Sequence, residues 1–270
     1  RAIRVRDLSS PPVRERATGT ECKGRPPDTG SGDPGTGRGV FFCCQSRNNG
    51  IVISPREQGM PKKLSQLAKL TRPRLYKAVA RERLFRLLDE KREHPVVWIV
   101  GPPGAGKTTL AASYLEEAGV PAIWYQIDPG DSDPATFFFY LKQVIEAVAK
   151  KKAKPLPLLT PEYLPDLPGF ARRFLRDGLA PLPVDVILVF DNYHDIAADS
   201  ALHAAFKAAL AEVPPGLNVI VLSRASPPPA FADALANQTI TLVSWEDLRL
   251  TAEETTAIAA SKGITDRNLL

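Results

Sequence analysis

Apolar residues recur along this chain in two rhythms, and their alternation predicts most of its elements. Three runs of about five residues are apolar throughout or nearly so: Val96-Val97-Trp98-Ile99-Val100, Ala122-Ile123-Trp124-Tyr125-Gln126-Ile127 and Val186-Ile187-Leu188-Val189-Phe190. A fourth, Asn218-Val219-Ile220-Val221-Leu222, follows the same pattern, and residues 239–243 supply a fifth. Short unbroken runs rich in β-branched and aromatic residues read as strands covered on both faces. Between them the spacing changes to three and four. Leu110, Ala111, Tyr114 and Leu115 mark a helix over residues 108–118, with Gly119 suited to its end. Phe138, Leu141, Ile145 and Val148 mark one from Asp133-Pro134 to about residue 150, with an aspartate cap and a first-turn proline. Phe170, Phe174 and Leu175 mark a helix over residues 169–178, and Leu202, Phe206 and Leu210 one over 201–213. Residues 70–93 also read as helical, with Leu84, Leu87 and Leu88 on one stripe, behind an extended lead-in at Thr71-Arg72-Pro73-Arg74. Thr251-Ala252-Glu253-Glu254 is a capping box for a last helix that stops near Gly263. The stretch from Lys150-Lys151-Lys152 to Pro168 reads as an exposed connection.

Composition changes the picture at one end. Residues 1–59 hold 9 of the 18 glycines and no periodic apolar pattern. Such a segment cannot bury enough surface to offset the entropy of ordering it. It reads either as a disordered tail or as non-native upstream sequence translated ahead of Met60, the only methionine. The same segment holds 10 Lys+Arg against 6 Asp+Glu, whereas the remainder is nearly balanced at 25 against 24. The net charge of +5 is therefore poor evidence for nucleic-acid binding by the folded part. Cys22, Cys43 and Cys44 also fall there, without the spaced partners a metal site needs, and the cysteine-free remainder fits a reducing compartment. The apolar runs are far shorter than the roughly 20 residues of a membrane span, and no apolar stretch of signal-peptide length opens the chain. A cytoplasmic protein with no membrane partner is the expectation.

The candidate chemistry sits where the first strand meets the helix after it. Gly101-Pro102-Pro103-Gly104-Ala105-Gly106-Lys107-Thr108-Thr109 satisfies G-x-x-x-x-G-K-[ST], and it has the required strand before it and helix after it. In that setting backbone N–H groups wrap a β-phosphate and the helix N-terminus adds positive potential. Lys107 is placed to reach the β- and γ-phosphates and Thr108 to give Mg²⁺ a hydroxyl. Four apolar residues ending in Asp191 supply the carboxylate that holds Mg²⁺ through its water shell beside such a loop. These residues imply a bound nucleoside triphosphate, ATP or its product ADP, with Mg²⁺. Asn192 follows where hydrolytic enzymes of this type usually carry an acid that positions water. It cannot take a proton, so turnover is expected to be slow unless His194 or Asp195 substitutes. His194 reads equally as a hydrogen-bonded loop residue. Ser223-Arg224 at the fourth strand end can face a γ-phosphate, or Arg224 can be an ordinary surface ion-pair residue.

In this order the pieces resemble a STAND-class P-loop ATPase, and more narrowly the ATPase domain of MalT-like (large LuxR-type) transcription regulators. The residues that carry the resemblance are Leu70-Thr71-Arg72-Pro73, the loop at 101–109, Trp124-Tyr125 with Asp128, Phe190-Asp191-Asn192-Tyr193-His194, Val221-Leu222-Ser223-Arg224 and Leu250-Thr251-Ala252-Glu253-Glu254. It implies a three-layer α/β fold with a five-stranded, mostly parallel sheet in the order 5-1-4-3-2. The resemblance covers about residues 64–260, leaving 1–59 as a disordered tail or non-native upstream translation, with 60–95 a lead-in and helix, 96–245 the ATPase domain and 246–270 the start of a helical lid cut short. It further implies a nucleotide switch, self-association through further C-terminal domains, and DNA contact only through a separate effector domain. Two other readings compete: a small-molecule kinase, which would need an acceptor pocket and an arginine-rich lid, and an AAA-type remodelling ATPase, which would need an acid at Asn192.

Overall fold

The computed structural model describes residues 67–264, apart from Lys77 and residues 150–152. The readings made of residues 1–59, of the three cysteines, of Met60 and of the Lys150–Lys152 run fall outside the described residues.

Five strands form one sheet: β1 (Val96–Val100), β2 (Ala122–Gln126), β3 (Ile187–Asp191), β4 (Asn218–Ser223) and β5 (Ile240–Val243). Every pairing is parallel and the order is β2-β3-β4-β1-β5, the order expected from the sequence. The unbroken apolar runs are explained by cover on both faces. Val96, Trp98, Ile123, Tyr125, Leu188, Phe190, Val219 and Val221 enter one core, and Val97, Ile99, Trp124, Ile187, Val189, Ile220 and Leu222 enter the other. Adjacent residues of a strand point to opposite faces, so a run apolar at every position serves two cores at once.

Eight α-helices form among the described residues: α1 (Glu82–Lys91), α2 (Lys107–Glu117), α3 (Pro134–Val148), α4 (Leu167–Leu179), α5 (Leu202–Leu210), α6 (Ala232–Ala236), α7 (Trp245–Leu248) and α8 (Ala252–Ser261). α1 and α2 bury Leu84, Phe85, Leu88, Leu110 and Tyr114 on one face; α3, α4 and α5 bury Phe137, Phe138, Phe170, Phe174 and Phe206 on the other. The result is three layers. Of the aromatic run 137–140, Phe137 and Phe138 are fully buried while Phe139 is 46% exposed, so helical spacing sorts the run into core and surface.

Three helices differ from expectation. The helix expected over residues 70–93 occupies only Glu82–Lys91; Ala68–Leu70 is a 3₁₀ turn and the chain between is irregular. The physical reason is tertiary: Leu75 and Val79 face a cleft, and Arg81 is drawn onto carbonyls 167 residues and more downstream. The short helices α6 and α7 have no counterpart in the periodicity, because four or five residues are too few to display it.

This order decides where the site lies. The chain leaves β1 and passes over β4 and β3 before laying down β2, so the C-terminal ends of β1, β4 and β3 stand side by side. That edge is where open parallel sheets hold their ligands.

Candidate functional site

Three strand ends build the site. β1 opens into the loop at residues 101–106, tied to β4 by the Gly101 N–H donating to the Ser223 carbonyl at 3.3 Å. Gly104 and Gly106 take φ of 79° and 80°, a left-handed backbone that side chains resist. Gly101 is needed for a different reason. A Cβ there would meet Leu248 Cδ1 at 2.9 Å and Ala105 Cβ at 3.2 Å, so its bare backbone lets α7 lie against the loop.

Lys107 begins α2 and its ammonium donates to the Gly101 carbonyl at 2.6 Å and the Pro102 carbonyl at 3.0 Å. Its pKa is lowered, first by burial and then by the neighbouring charge of Arg224, against the pull of Asp191. One residue on, the Thr108 hydroxyl donates to Asp191 at 3.0 Å to Oδ2 and 3.2 Å to Oδ1. Asp191 is the last residue of β3 and is only 4% exposed. Burial pushes its carboxyl above the usual carboxylate value although Thr108, the Asn192 amide and Lys107 favour the charged form. A carboxylate in that position gains from a cation placed beside it. The Asn192 N–H donates to Asp191 Oδ1 at 2.9 Å, from a left-handed backbone with φ 62°.

β4 contributes the other side. Ser223 is buried, and its hydroxyl accepts from the Ala225 N–H at 3.1 Å. Arg224 is exposed, and its backbone N–H donates to His194 Nδ1 at 3.4 Å. His194 Nε2 lies 3.5 Å from Asp195 Oδ1 without a hydrogen bond. Burial lowers the His194 pKa, Asp195 opposes this, and Arg224 and Lys107 lower it further. Asp191 thus feels Lys107 and His194, and Arg224 acts on Lys107 and His194, across a single edge. Two cations that feel each other at one edge, Lys107 and Arg224, make it attractive to a polyphosphate.

Behind the loop opens a cleft of about 510 Å³. Gly104, Ala105, Gly106 and Thr109 form its floor; Leu75 and Val79 ahead of α1, and Trp245, Leu248 and Ile258 on α7 and α8, are among the residues of its flanks. It joins a polar phosphate loop to an apolar recess, as a nucleotide with its base requires. No group of three or more His, Cys, Asp or Glu residues that could cage a metal occurs among the described residues. One hydroxyl beside one carboxylate instead suits Mg²⁺, which keeps several waters and takes its other ligands from phosphate.

A family model described as "AAA ATPase domain" matches residues 77–222, more than half of the chain. The chain belongs to that family. Among curated relatives of this AAA ATPase domain, the HTH-type transcriptional regulator MalT of Vibrio cholerae is 33% identical over 198 residues, covering 70% of this chain and 21% of the relative. MalT of Cronobacter sakazakii is 30% identical over 191 residues, with 69% and 21% covered. The expected likeness to the ATPase domain of MalT-like regulators therefore stands, and the chain spans about a fifth of the length of these relatives. Among solved structures, a Walker-type ATPase of Pyrococcus abyssi superposes at TM-score 0.41 with 18% identity, over 73% of this chain and 61% of that one.

Sequence reasoning missed the residues that hold the cleft's flanks together. Arg81 and Arg83 both reach the Glu254 carboxylate, at 2.8 and 3.5 Å. Glu254 was visible as a capping-box residue, but its partners lie more than 170 residues away in sequence and no local pattern points to them. Missed likewise was the buried hydrogen bond between the Tyr193 hydroxyl and His203 Nδ1, at 2.9 Å, which anchors the turn after Asp191. No helix of the described residues is long and apolar enough to cross a membrane.

Proposed function

We propose that this ATPase domain is a STAND-type nucleotide switch, binding ADP and Mg²⁺·ATP and hydrolysing the latter slowly. The observation that carries the reading is the contact between Thr108 and Asp191, made below a glycine loop that ends in Lys107. In the bound state the backbone of residues 101–106 and the Lys107 ammonium hold phosphate oxygens. Thr108 and Asp191 hold Mg²⁺, which when bound neutralises phosphate charge, and Thr109 borders the nucleoside side. Lys107 must then leave the Gly101 and Pro102 carbonyls, exchanging two neutral acceptors for anionic ones, which is favourable. Arg224 faces the γ-phosphate position and reports whether it is filled. Asn192 offers no base to the attacking water, and His194 or Asp195, in the turn that follows, is the candidate to substitute.

The MalT-like relatives support a role in transcription regulation, carried out in the cytoplasm, with DNA contact left to another part of the protein. In this reading residues 60–95 are the lead-in and first helix, 96–245 the switch and 246–270 belong to a helical lid. ADP favours a closed form and ATP an open, self-associating one, which requires the two forms to differ in nucleotide affinity by a few kcal/mol. Calorimetric titration with ADP and with ATP, each with and without Mg²⁺, tests the site. Lys107→Ala is expected to weaken both nucleotides by about 100-fold, or roughly 2.7 kcal/mol. Unchanged binding in that variant refutes the assignment. Fast turnover without any added partner would instead favour a cycling, remodelling type of ATPase.

A further inference from the structure

The recess behind the phosphate loop is assembled from opposite ends of the described chain, and one knot of charge joins them. A single guanidinium nitrogen of Arg81 donates to the Leu248 carbonyl at 2.9 Å, the Arg249 carbonyl at 3.0 Å and Glu254 Oε2 at 2.8 Å. Arg83 donates to the Asp247 carbonyl at 3.0 Å and the Arg249 carbonyl at 2.9 Å, and reaches the same carboxylate oxygen at 3.5 Å. Glu254 is itself fixed by its cap, since Oε2 accepts from the Thr251 N–H at 3.1 Å while the Glu254 N–H donates to Thr251 Oγ1 at 3.2 Å. The side chains of Arg81 and Glu254 are only 11% and 13% exposed. Burial alone would raise the Glu254 carboxyl, yet Arg81, the Thr251 amide and Arg83 hold it below its ordinary value.

The knot is incompletely satisfied. Glu254 Oε1, Arg81 Nε and Arg83 Nε are buried without a hydrogen-bond partner. A buried ion pair is already a weak source of net stability, and each orphaned polar atom subtracts from it. An arrangement this costly is poorly explained as a plain staple. It is better explained by where it sits, since it clamps the α7–α8 connection to the residue that leads into α1, and both segments wall the cleft.

We infer that Arg81, Arg83 and Glu254 form a clasp that sets the affinity for the nucleoside part of the ligand, with Glu254 as a positioning residue that does not itself line the cleft. Closed, it presses Trp245, Leu248 and Ile258 toward Leu75 and Val79 and shapes an apolar recess for a base. Open, it leaves the phosphate loop intact and the recess wide. The inference rests on the nucleotide reading of the site, and a comparison of two ligands separates them.

The test titrates the full chain with ADP and, separately, with inorganic tripolyphosphate, each with Mg²⁺, by calorimetry. Glu254→Gln removes the charge while keeping a residue that still completes the capping box, so α8 retains its start. It is expected to weaken ADP about tenfold, or 1.4 kcal/mol, while tripolyphosphate changes less than about twofold. Arg81→Gln removes the charge paired with Glu254 and shortens the reach to the Leu248 and Arg249 carbonyls, and it should weaken ADP alone in the same way. Combining the two should cost little more than either, because both break one knot. Lys107→Ala should weaken both ligands. Unchanged ADP affinity in Glu254→Gln, or equal losses for ADP and tripolyphosphate, overturns the clasp while leaving the phosphate loop standing. If the unaltered chain binds neither ligand, the nucleotide reading falls and the clasp falls with it.

Discussion

Two loop glycines are required for opposite reasons. At Gly106 the backbone is left-handed, φ 80°, and no atom lies within 4 Å of where a Cβ would stand. Gly106→Ala therefore meets no steric clash and loses only conformational energy, of about 1–2 kcal/mol. At Gly101 the backbone carries no such strain, but an added Cβ would reach Leu248 at 2.9 Å. Gly101→Ala should shift α7 and widen the recess, weakening ADP more than tripolyphosphate, whereas Gly106→Ala should weaken both alike. Paired calorimetric titrations check that contrast. The histidines set a second expectation at this scale. Burial lowers the pKa of His203, opposed by the Ala197 carbonyl, and burial is also the first cause for His194. A base whose folded pKa lies below its unfolded value near 6.5 takes up fewer protons when folded. Stability is then full above about pH 6.5 and falls as pH drops from there toward the lowered folded values. The Ala197 carbonyl, 3.0 Å from His203 Nε2, can only accept, so Nε2 donates to it and Nδ1 is left to accept the Tyr193 hydroxyl; protonating Nδ1 reverses that bond and leaves the buried hydroxyl proton without this acceptor. Urea midpoints from pH 7.5 to 5 should fall, and His203→Gln should flatten part of that slope; an unchanged slope would show that His203 is not its source.

Among elements, the strands and major helices were readable because each carries its own period, and the sheet order because a known family shares the order of motifs. The lead-in was not, and Lys69 shows why. It sits in the 3₁₀ turn Ala68–Leu70, and its ammonium contacts Asp131 at 2.7 Å and Asp128 at 2.8 Å. It also lies over the rings of Tyr125 and Tyr140, at 5.3 and 4.7 Å from their centroids. Asp131 is fully buried and accepts the Tyr125 hydroxyl at 2.8 Å and the Asp128 N–H at 2.9 Å. In sequence Lys69 is one basic residue in a polar stretch, and only the fold reveals that it neutralises a buried carboxylate about 60 positions later. The same gap concealed Arg81 and Arg83. Local periodicity reports burial, but it cannot report which distant charge a buried charge has found. Removing one member of such a pair strands the other. Lys69→Met should therefore cost about 3 kcal/mol in urea denaturation, and adding Asp131→Asn should return part of the loss. A cost below about 0.5 kcal/mol would reduce the contact to an ordinary surface ion pair.

At the scale of the whole molecule, the site draws on strands separated by nearly a hundred residues, so its ligand should stabilise the fold and not merely a loop. The loop belongs to the α1–α2 side of the sheet, while the turn after Asp191 is pinned through Tyr193 to His203 on α5, on the other side. A ligand gripped by both Lys107 and Asp191 therefore joins two layers, and unfolding must release it. At 100 times its dissociation constant such a ligand adds about 2.7 kcal/mol. For folded units of about 150–250 residues each kcal/mol corresponds to about 2–4 °C, so Mg²⁺·ADP should raise the melting temperature by roughly 5–10 °C. Chelating Mg²⁺ should remove part of the rise, since ADP alone keeps the loop and Lys107 but loses the bridge to Asp191. Asp191→Asn should show the small rise with or without Mg²⁺, and Lys107→Ala should show almost none. Differential scanning calorimetry of the three proteins gives the comparison directly. An Asp191→Asn protein that still gains from Mg²⁺ as the unaltered chain does would remove the carboxylate from the metal's support, and with it the link between the two faces of the sheet.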